Sequence, residues 1–261
     1  MSEYVFNREA VSAFHFVGCE FEHGTGIARL DYAFDQGAVF SERIIFPGAP
    51  FALSEKQNAA ITQALRTLHL IAGVSYYKAA APERIVLDSY SIDADTAQFM
   101  TGIYENGLGE FAYRNKIQLR GKVNFPFSGS ADHQLAPVAD ALGLHQYALA
   151  AIGGGKDSLV SIESLRRMNI SQTVTWIGSA PLIRSCAERT GLPLLNITRQ
   201  LAPELFEMNK QGALNGHIPV TAVNSAILIL AALLQNADQV VFSNERSASY
   251  GSLIEGTGEV N

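Results

Sequence analysis

Cysteine is scarce in this 261-residue chain: Cys19 and Cys186 are its two thiols, they lie far apart, and neither belongs to a Cys-x-x-Cys pair. That excludes a disulfide framework and argues against a zinc or iron–sulfur site, which needs several thiols at short spacing. Charge is thin as well. Charged residues make up 17% of the chain, the formal net charge is −6 and the sequence pI is about 5.5. A general nucleic-acid binder presents a basic face, so no nucleic-acid partner is expected. The start, Met1-Ser2-Glu3-Tyr4, lacks a basic region followed by an apolar core, so no signal peptide is expected. The longest uncharged apolar run, residues 218–234, contains Pro219, Thr221, Asn224 and Ser225 and is too short and too polar at its start for a membrane span. Cytoplasm is the expected location, with no membrane partner. Against these absences stands a hydrophobic content of 48%, which calls for a folded protein of one large or two modest domains.

What is present is glycine concentrated in one place. The apolar run Ala148-Leu149-Ala150-Ala151-Ile152 reads as a buried strand. Gly153-Gly154-Gly155 break it, Lys156-Asp157-Ser158 follow, and a helical pattern then puts Ile162, Leu165 and Met168 on one side. Strand, glycine turn and helix N-terminus together make an anion site, because the glycines let backbone approach a phosphate and the helix end offers unpaired N–H groups. A Walker A loop is excluded: Gly155-Lys156 is followed by Asp157, and its first glycine would fall at Ala150. The dinucleotide fingerprint is excluded by Ser158 at its last glycine position.

Residues 1–47 read as an antiparallel meander, with strands at 13–17, 27–34, 38–40 and 43–46 separated by glycine-containing turns. Ser54-Glu55-Lys56-Gln57 is a capping box opening a helix with Ile61, Ala64, Leu65, Leu68 and Ile71 on one stripe, which Gly73 stops. Tyr76-Tyr77-Lys78 is suited to a core edge or to stacking on a ligand. A short strand at 85–87 precedes a helical stretch from Asp93 to Arg114, interrupted near Asn106-Gly107. Residues 124–130 have linker composition, giving expected domains of 1–125 and 131–261. After a helix at 135–142, strands at 147–152, 173–178, 194–197 and 239–242 alternate with helices, the mark of a parallel sheet. Ligands bind beyond the carboxyl ends of such strands, which gathers the loops 153–158, 178–184 and 243–250 around one crevice.

In that crevice Arg246 suits bidentate binding of a carboxylate or phosphate, and Glu245 suits a magnesium ion or a proton. A solvated Glu–Arg surface pair is the plain alternative. Trp176, Ile177 and Gly178 are placed to pack an adenine, although Trp176 is equally suited to a core. His217, in Asn215-Gly216-His217-Ile218-Pro219, is a candidate acid or base or a solvated loop histidine. His15, His23, His69, His133 and His145 show no ligand spacing.

The segment from Gly153 to Ser158 resembles the PP-loop of the ATP pyrophosphatase superfamily, Ser-Gly-Gly-x-Asp-Ser, with Gly153 in place of the serine. Combined with Phe242-Ser243-Asn244-Glu245-Arg246-Ser247-Ala248-Ser249 and Gly216-His217-Ile218-Pro219-Val220, it resembles one family of that superfamily, the ATP-dependent UDP-N-acetylmuramoyl-L-alanyl-L-glutamate epimerases of bacterial peptidoglycan synthesis. The resemblance implies an α/β fold: a parallel-sheet PP-loop domain of the adenine nucleotide α-hydrolase kind, preceded by a smaller α+β domain with an antiparallel meander. It implies ATP and Mg²⁺ as cofactors and a UDP-muramoyl dipeptide as the small-molecule substrate. The terminal L-glutamate becomes D-glutamate while ATP goes to AMP and pyrophosphate.

The implied chemistry has a physical rationale. A Cα–H beside a carboxylate is a very weak acid; adenylylation neutralises the carboxylate and permits an enolate, reprotonation on the other face inverts the centre, and hydrolysis releases product. Gly153, Gly154, Gly155, Asp157 and Ser158 then hold the triphosphate, Asp157 also through the metal or by fixing the loop. Lys156 and Arg246 neutralise charge, and Glu245 and His217 are candidates for the proton. Members of that family run further than Asn261, so the PP-loop domain is expected to be shortened on its C-terminal side. Competing expectations are another PP-loop adenylating enzyme, either an amidotransferase-like ligase or a tRNA-modifying enzyme, and a nucleotide-binding fragment without catalysis.

Overall fold

The computed structural model describes residues 6–35, 37–129 and 142–244. Three strands open the chain, β1 (Ala13–Glu22), β2 (Ile27–Phe34) and β3 (Phe40–Ile45), and they pair antiparallel in sequence order; the strands expected at 38–40 and 43–46 are one, because Ser41 and Glu42 continue the ladder with β2. The chain then forms α1 (Glu55–Ala72), α2 (Val74–Tyr77), β4 (Arg84–Leu87), α3 (Ala94–Gly107) and α4 (Gly109–Asn115). Strand β4 lies parallel to β1. The second stretch alternates β5 (His145–Ala151), α5 (Lys156–Arg167), β6 (Ser171–Ile177), α6 (Pro181–Glu188), β7 (Leu194–Gln200), α7 (Pro203–Lys210), α8 (Val220–Leu234) and β8 (Ala237–Val241). Its four strands are parallel. The expected helix at 135–142 falls, but for its last residue, outside the described residues.

All eight strands form one sheet in the order β4-β1-β2-β3-β7-β6-β5-β8. The meander and the parallel stretch meet where β3 pairs antiparallel with β7, Ile44 opposite Arg199. A buried ion pair seals this seam. Arg199 Nε and Nη2 donate to Glu42 Oε1 and Oε2 at 2.6 and 3.1 Å, and Nη2 also donates to Ser75 Oγ at 2.9 Å. Glu42 is fully buried, so removing either partner would strand a charge in the interior.

The meander's inner face carries aromatic rings. Phe14, Phe16, Tyr32, Phe34 and Phe40 pack with Tyr76, Tyr77, Tyr104 and Phe125. The Tyr76-Tyr77-Lys78 triplet is therefore interior, and its tyrosines belong to the core. Helix α1 begins with the expected reciprocal capping box of Ser54 and Gln57. Gly73 ends it with helical dihedrals, and the chain passes directly into α2. Glycine is needed at 73 for close approach: a Cβ would lie 2.4 Å from the Phe16 ring. His69 is buried in this core, accepting from Tyr90 Oη at Nδ1 (2.9 Å) and donating from Nε2 to the Asp31 carbonyl (3.0 Å). Burial pushes its pKa down to about 4, so it is the neutral imidazole.

Helix α8 packs on α1 and, with it, covers one face of the sheet; α5 and α6 cover the other face of β5 and β6. Leu149 faces the larger core and Ala148, Ala150 and Ile152 the smaller, which explains the unbroken apolar run in β5. Ile162 and Leu165 of α5 point inward. Met168, expected on the same stripe, is 66% exposed, because the helix stops at Arg167 and Met168 is its C-cap.

A candidate nucleotide site at the strand-order reversal

From β5 the chain steps to β6 and β7 on one side and returns to β8 on the other. The helices that make these crossovers lie on opposite faces, so a crevice opens at the carboxyl ends of β5 and β8. A cleft of about 420 Å³ occupies that position. Its walls come from the glycine turn (Gly153, Gly155), the first turn of α5 (Asp157, Ser158), the end of β6 (Thr175, Trp176, Ile177) and Ile183 of α6. Thr221, Asn224 and Leu228 of α8 and Phe242, Ser243 and Asn244 after β8 complete it. The described parts of the three loops expected around one crevice are thus brought together.

The glycine turn is open on its outer side. Gly154 has φ +82°, a left-handed conformation that favours glycine. Gly153 and Gly155 have no such demand, and a Cβ on either would meet nothing within 4 Å. The protein itself therefore gives no steric reason for glycine at those two positions; a group lying against the backbone would. Gly155 is the N-cap of α5 and supplies no side chain to its free N–H groups. Helices α6 and α8 start at the same edge on Ala180 and Pro219, again without a side-chain cap. Unpaired N–H groups and three positive dipole ends converge on the cleft.

Other predicted residues fall around this centre. Asp157 is half-buried and is the cleft's carboxylate among the described residues. Ser158 is buried, and its hydroxyl donates to the Gly155 carbonyl at 2.8 Å, so it locks the turn. Ser243 is tied to Ser161 of α5 by a 2.8 Å hydroxyl–hydroxyl bond, which joins the loop after β8 to the helix after β5. Lys156 is exposed at the first position of α5 and does not line the cleft. Trp176 is both core and wall: it is 5% exposed, and its Nε1–H has no partner among the described residues. Gly178, with φ +97°, turns the chain out of β6 just beyond the cleft lining, and Asn196 Nδ2 holds its carbonyl at 2.8 Å. His217 is exposed in the loop before α8 and is not part of the lining. Glu245 and Arg246 lie outside the described residues, immediately after Asn244.

Sequence reasoning missed Thr221 and Asn224, which sit in the first two turns of α8. Their signal was the pair of polar residues at the start of an apolar run. Among the described residues no group of three or more His, Cys, Asp or Glu side chains is arranged to hold a metal. A magnesium ion shared between one carboxylate and phosphate oxygens needs no such cluster, and Asp157 fits that arrangement.

The sequence profile of the family described as MurL N-terminal domain matches residues 5–261. The chain is 64% identical over 256 residues to the UDP-N-acetyl-alpha-D-muramoyl-L-alanyl-L-glutamate epimerase of Xanthomonas oryzae pv. oryzae, covering 98% of this chain and 56% of that protein. It is 39% identical over 256 residues to proteins of the same name from Salinispora tropica and a Micromonospora strain, covering 96% of this chain and 55% and 56% of theirs. The chain thus spans little more than half the length of these curated relatives. No solved structure matches it.

Proposed function

The chain belongs to the MurL N-terminal domain family, and on that premise we propose that it forms the nucleotide-handling part of an ATP-dependent epimerase acting on the terminal L-glutamate of UDP-N-acetylmuramoyl-L-alanyl-L-glutamate. The observation that carries the nucleotide assignment is the open glycine turn at an uncapped helix N-terminus, set where the strand order reverses. The substrate comes from the names of the relatives.

In this reading ATP, when bound, supplies the activation that turns the glutamate carboxylate into a neutral acyl group and so acidifies the neighbouring Cα–H. The residues of this chain do the rest of the positioning. Backbone N–H groups of 153–155 and the first turn of α5 cradle the phosphates. Asp157 would hold a Mg²⁺ ion, which would supply positive charge against the phosphates, and Lys156 offsets charge from the rim. Ile177 and Trp176 form the apolar wall for the adenine, with the Gly178 turn leaving room beside it. Thr221 and Asn224 present hydroxyl and amide groups, and the α8 N-terminus a positive end, on the opposite wall. Arg246 binds carboxylate or phosphate, and Glu245 and His217 are the candidates to move the Cα proton. The division into a leading α+β unit and a PP-loop unit belongs to the same reading, as does a cytoplasmic location; no helix among the described residues is long and apolar enough to cross a membrane.

The test is pyrophosphate release from ATP and Mg²⁺ with and without the dipeptide substrate, followed by chiral analysis of the glutamate. D-Glutamate together with substrate-dependent pyrophosphate is expected from the complete enzyme. Asp157→Ala should abolish that release while the thermal transition stays in place. A fully active Asp157→Ala variant would remove the phosphate-site assignment, and pyrophosphate without D-glutamate would point to a different adenylating reaction.

A further inference from the structure

Lys78 is the member of the Tyr76-Tyr77-Lys78 triplet that core packing does not explain. It is 5% exposed, no carboxylate pairs with it among the described residues, and its ammonium donates to Asn215 Oδ1. Burial holds its pKa below the usual lysine value. A methionine would fill the same space without burying a cation, so the charge needs another reason.

That reason lies in the loop it holds. Asn215 Oδ1 also accepts from Gly216 N at 2.9 Å, and the Asn215 carbonyl accepts from Asn115 Nδ2 at 3.0 Å. Leu214 N donates to the Ala79 carbonyl at 2.9 Å. Pro219 sits so close to α3 that a Cβ on Gly107 would come within 2.6 Å of its ring. The loop 214–219 is thereby clamped by α2, α3 and the end of α4. It runs straight into α8, whose first two turns supply Thr221 and Asn224 to the cleft. His217 stands exposed between the two anchors. The helices of the first stretch reach the cleft edge through this loop.

We propose that Lys78 is a positioning residue: through Asn215 it fixes the loop 214–219, and so holds His217 and the start of α8 at the cleft edge opposite the glycine turn. The clamp stands on geometry alone; the identity of the substrate rests on the epimerase reading.

Backbone hydrogen exchange on this chain and turnover of the complete enzyme test it together. In Lys78→Met, amides of residues 214–224 should exchange about tenfold faster while those of 153–158 keep their protection. ATP affinity by calorimetry should stay within about twofold, and kcat for substrate-dependent pyrophosphate release should fall about tenfold with KM for ATP unchanged. Asn215→Asp, which keeps an acceptor facing the ammonium, should retain the protection. The double variant Lys78→Met with Asn215→Leu removes both polar partners and should melt close to the parent, yet keep the fast-exchanging loop and the low kcat. Parent-like exchange in Lys78→Met, or recovery of both protection and turnover in the double variant, reduces the pair to packing and overturns the proposal. If the parent enzyme releases no pyrophosphate with the dipeptide, the epimerase reading fails, and the exchange data still decide the clamp.

Discussion

Helices α1 and α3 begin on side chains that close their free N–H groups, Ser54 with Gln57 and Asp93 with Thr96. Helices α5, α6 and α8 begin on Gly155, Ala180 and Pro219, which close nothing. The same contrast runs through the interior. In the first stretch the buried polar groups are answered, His69 by Tyr90 and the Asp31 carbonyl, and Glu42 across the seam by Arg199. The buried side-chain atoms without a partner among the described residues, Gln172 Oε1, Trp176 Nε1 and Asn209 Oδ1, all belong to the second. No buried side-chain nitrogen or oxygen of the first stretch lacks a partner among the described residues. The other has uncapped helix starts along one edge and the unpartnered Trp176 Nε1–H in the cleft wall, the features on which the proposed nucleotide site rests.

The sharpest break in this comparison is at the seam. Glu42→Ala leaves Arg199 charged and buried, and should cost about 3–5 kcal/mol of stability in a denaturant titration. Next is acid. His69 is held neutral with a pKa of about 4, against 6.5 for the ordinary side chain. Between those values the unfolded chain binds the proton and the folded one does not, so stability falls as pH drops from 6.5 to 4, by about 3 kcal/mol in all. His69→Gln should flatten that part of the pH–stability curve. A third test converts a cleft helix into a scaffold helix. Gly155 has φ −90° and ψ 165°, dihedrals that an aspartate N-cap adopts readily. Gly155→Asp should stabilise the ligand-free chain by about 0.5–1 kcal/mol, while weakening ATP binding on the order of a hundredfold, since a carboxylate then faces the phosphates. A variant that bound ATP as well as the parent would show that α5 does not receive the phosphates. The smallest effect is Ser54→Ala, about 1 kcal/mol by thermal melting with ATP affinity unchanged.

Much of this was legible because it is local. The meander, the capping box at Ser54, the helix start at Asp93 and the glycine turn each declare themselves within a few residues, and the structure has them where the sequence put them. The crevice followed from strand–helix alternation. The seam did not, since pairing Ile44 with Arg199 joins residues too far apart for any short pattern to register. Glu42 was a missed sign: in Phe40-Ser41-Glu42-Arg43-Ile44 it shares the inward face with Phe40 and Ile44, and a carboxylate there demands a buried cation. Lys78 was hidden by its type, because lysine reads as solvent-facing until its surroundings are known. Thr221 and Asn224 were hidden because the apolar remainder of α8 set the reading of the whole helix.

The chain has a single tryptophan, and it stands in the wall of the cleft. The protein therefore carries its own optical probe. Excited beyond the tyrosine band, all of its emission comes from Trp176. The ring is shielded from water before any ligand arrives, so the starting spectrum is blue-shifted. Whatever enters beside it changes the brightness or colour of that one signal. Stopped-flow mixing with nucleotide would thus test the proposed occupancy of the cleft in real time, without a dye, a label or a turnover assay.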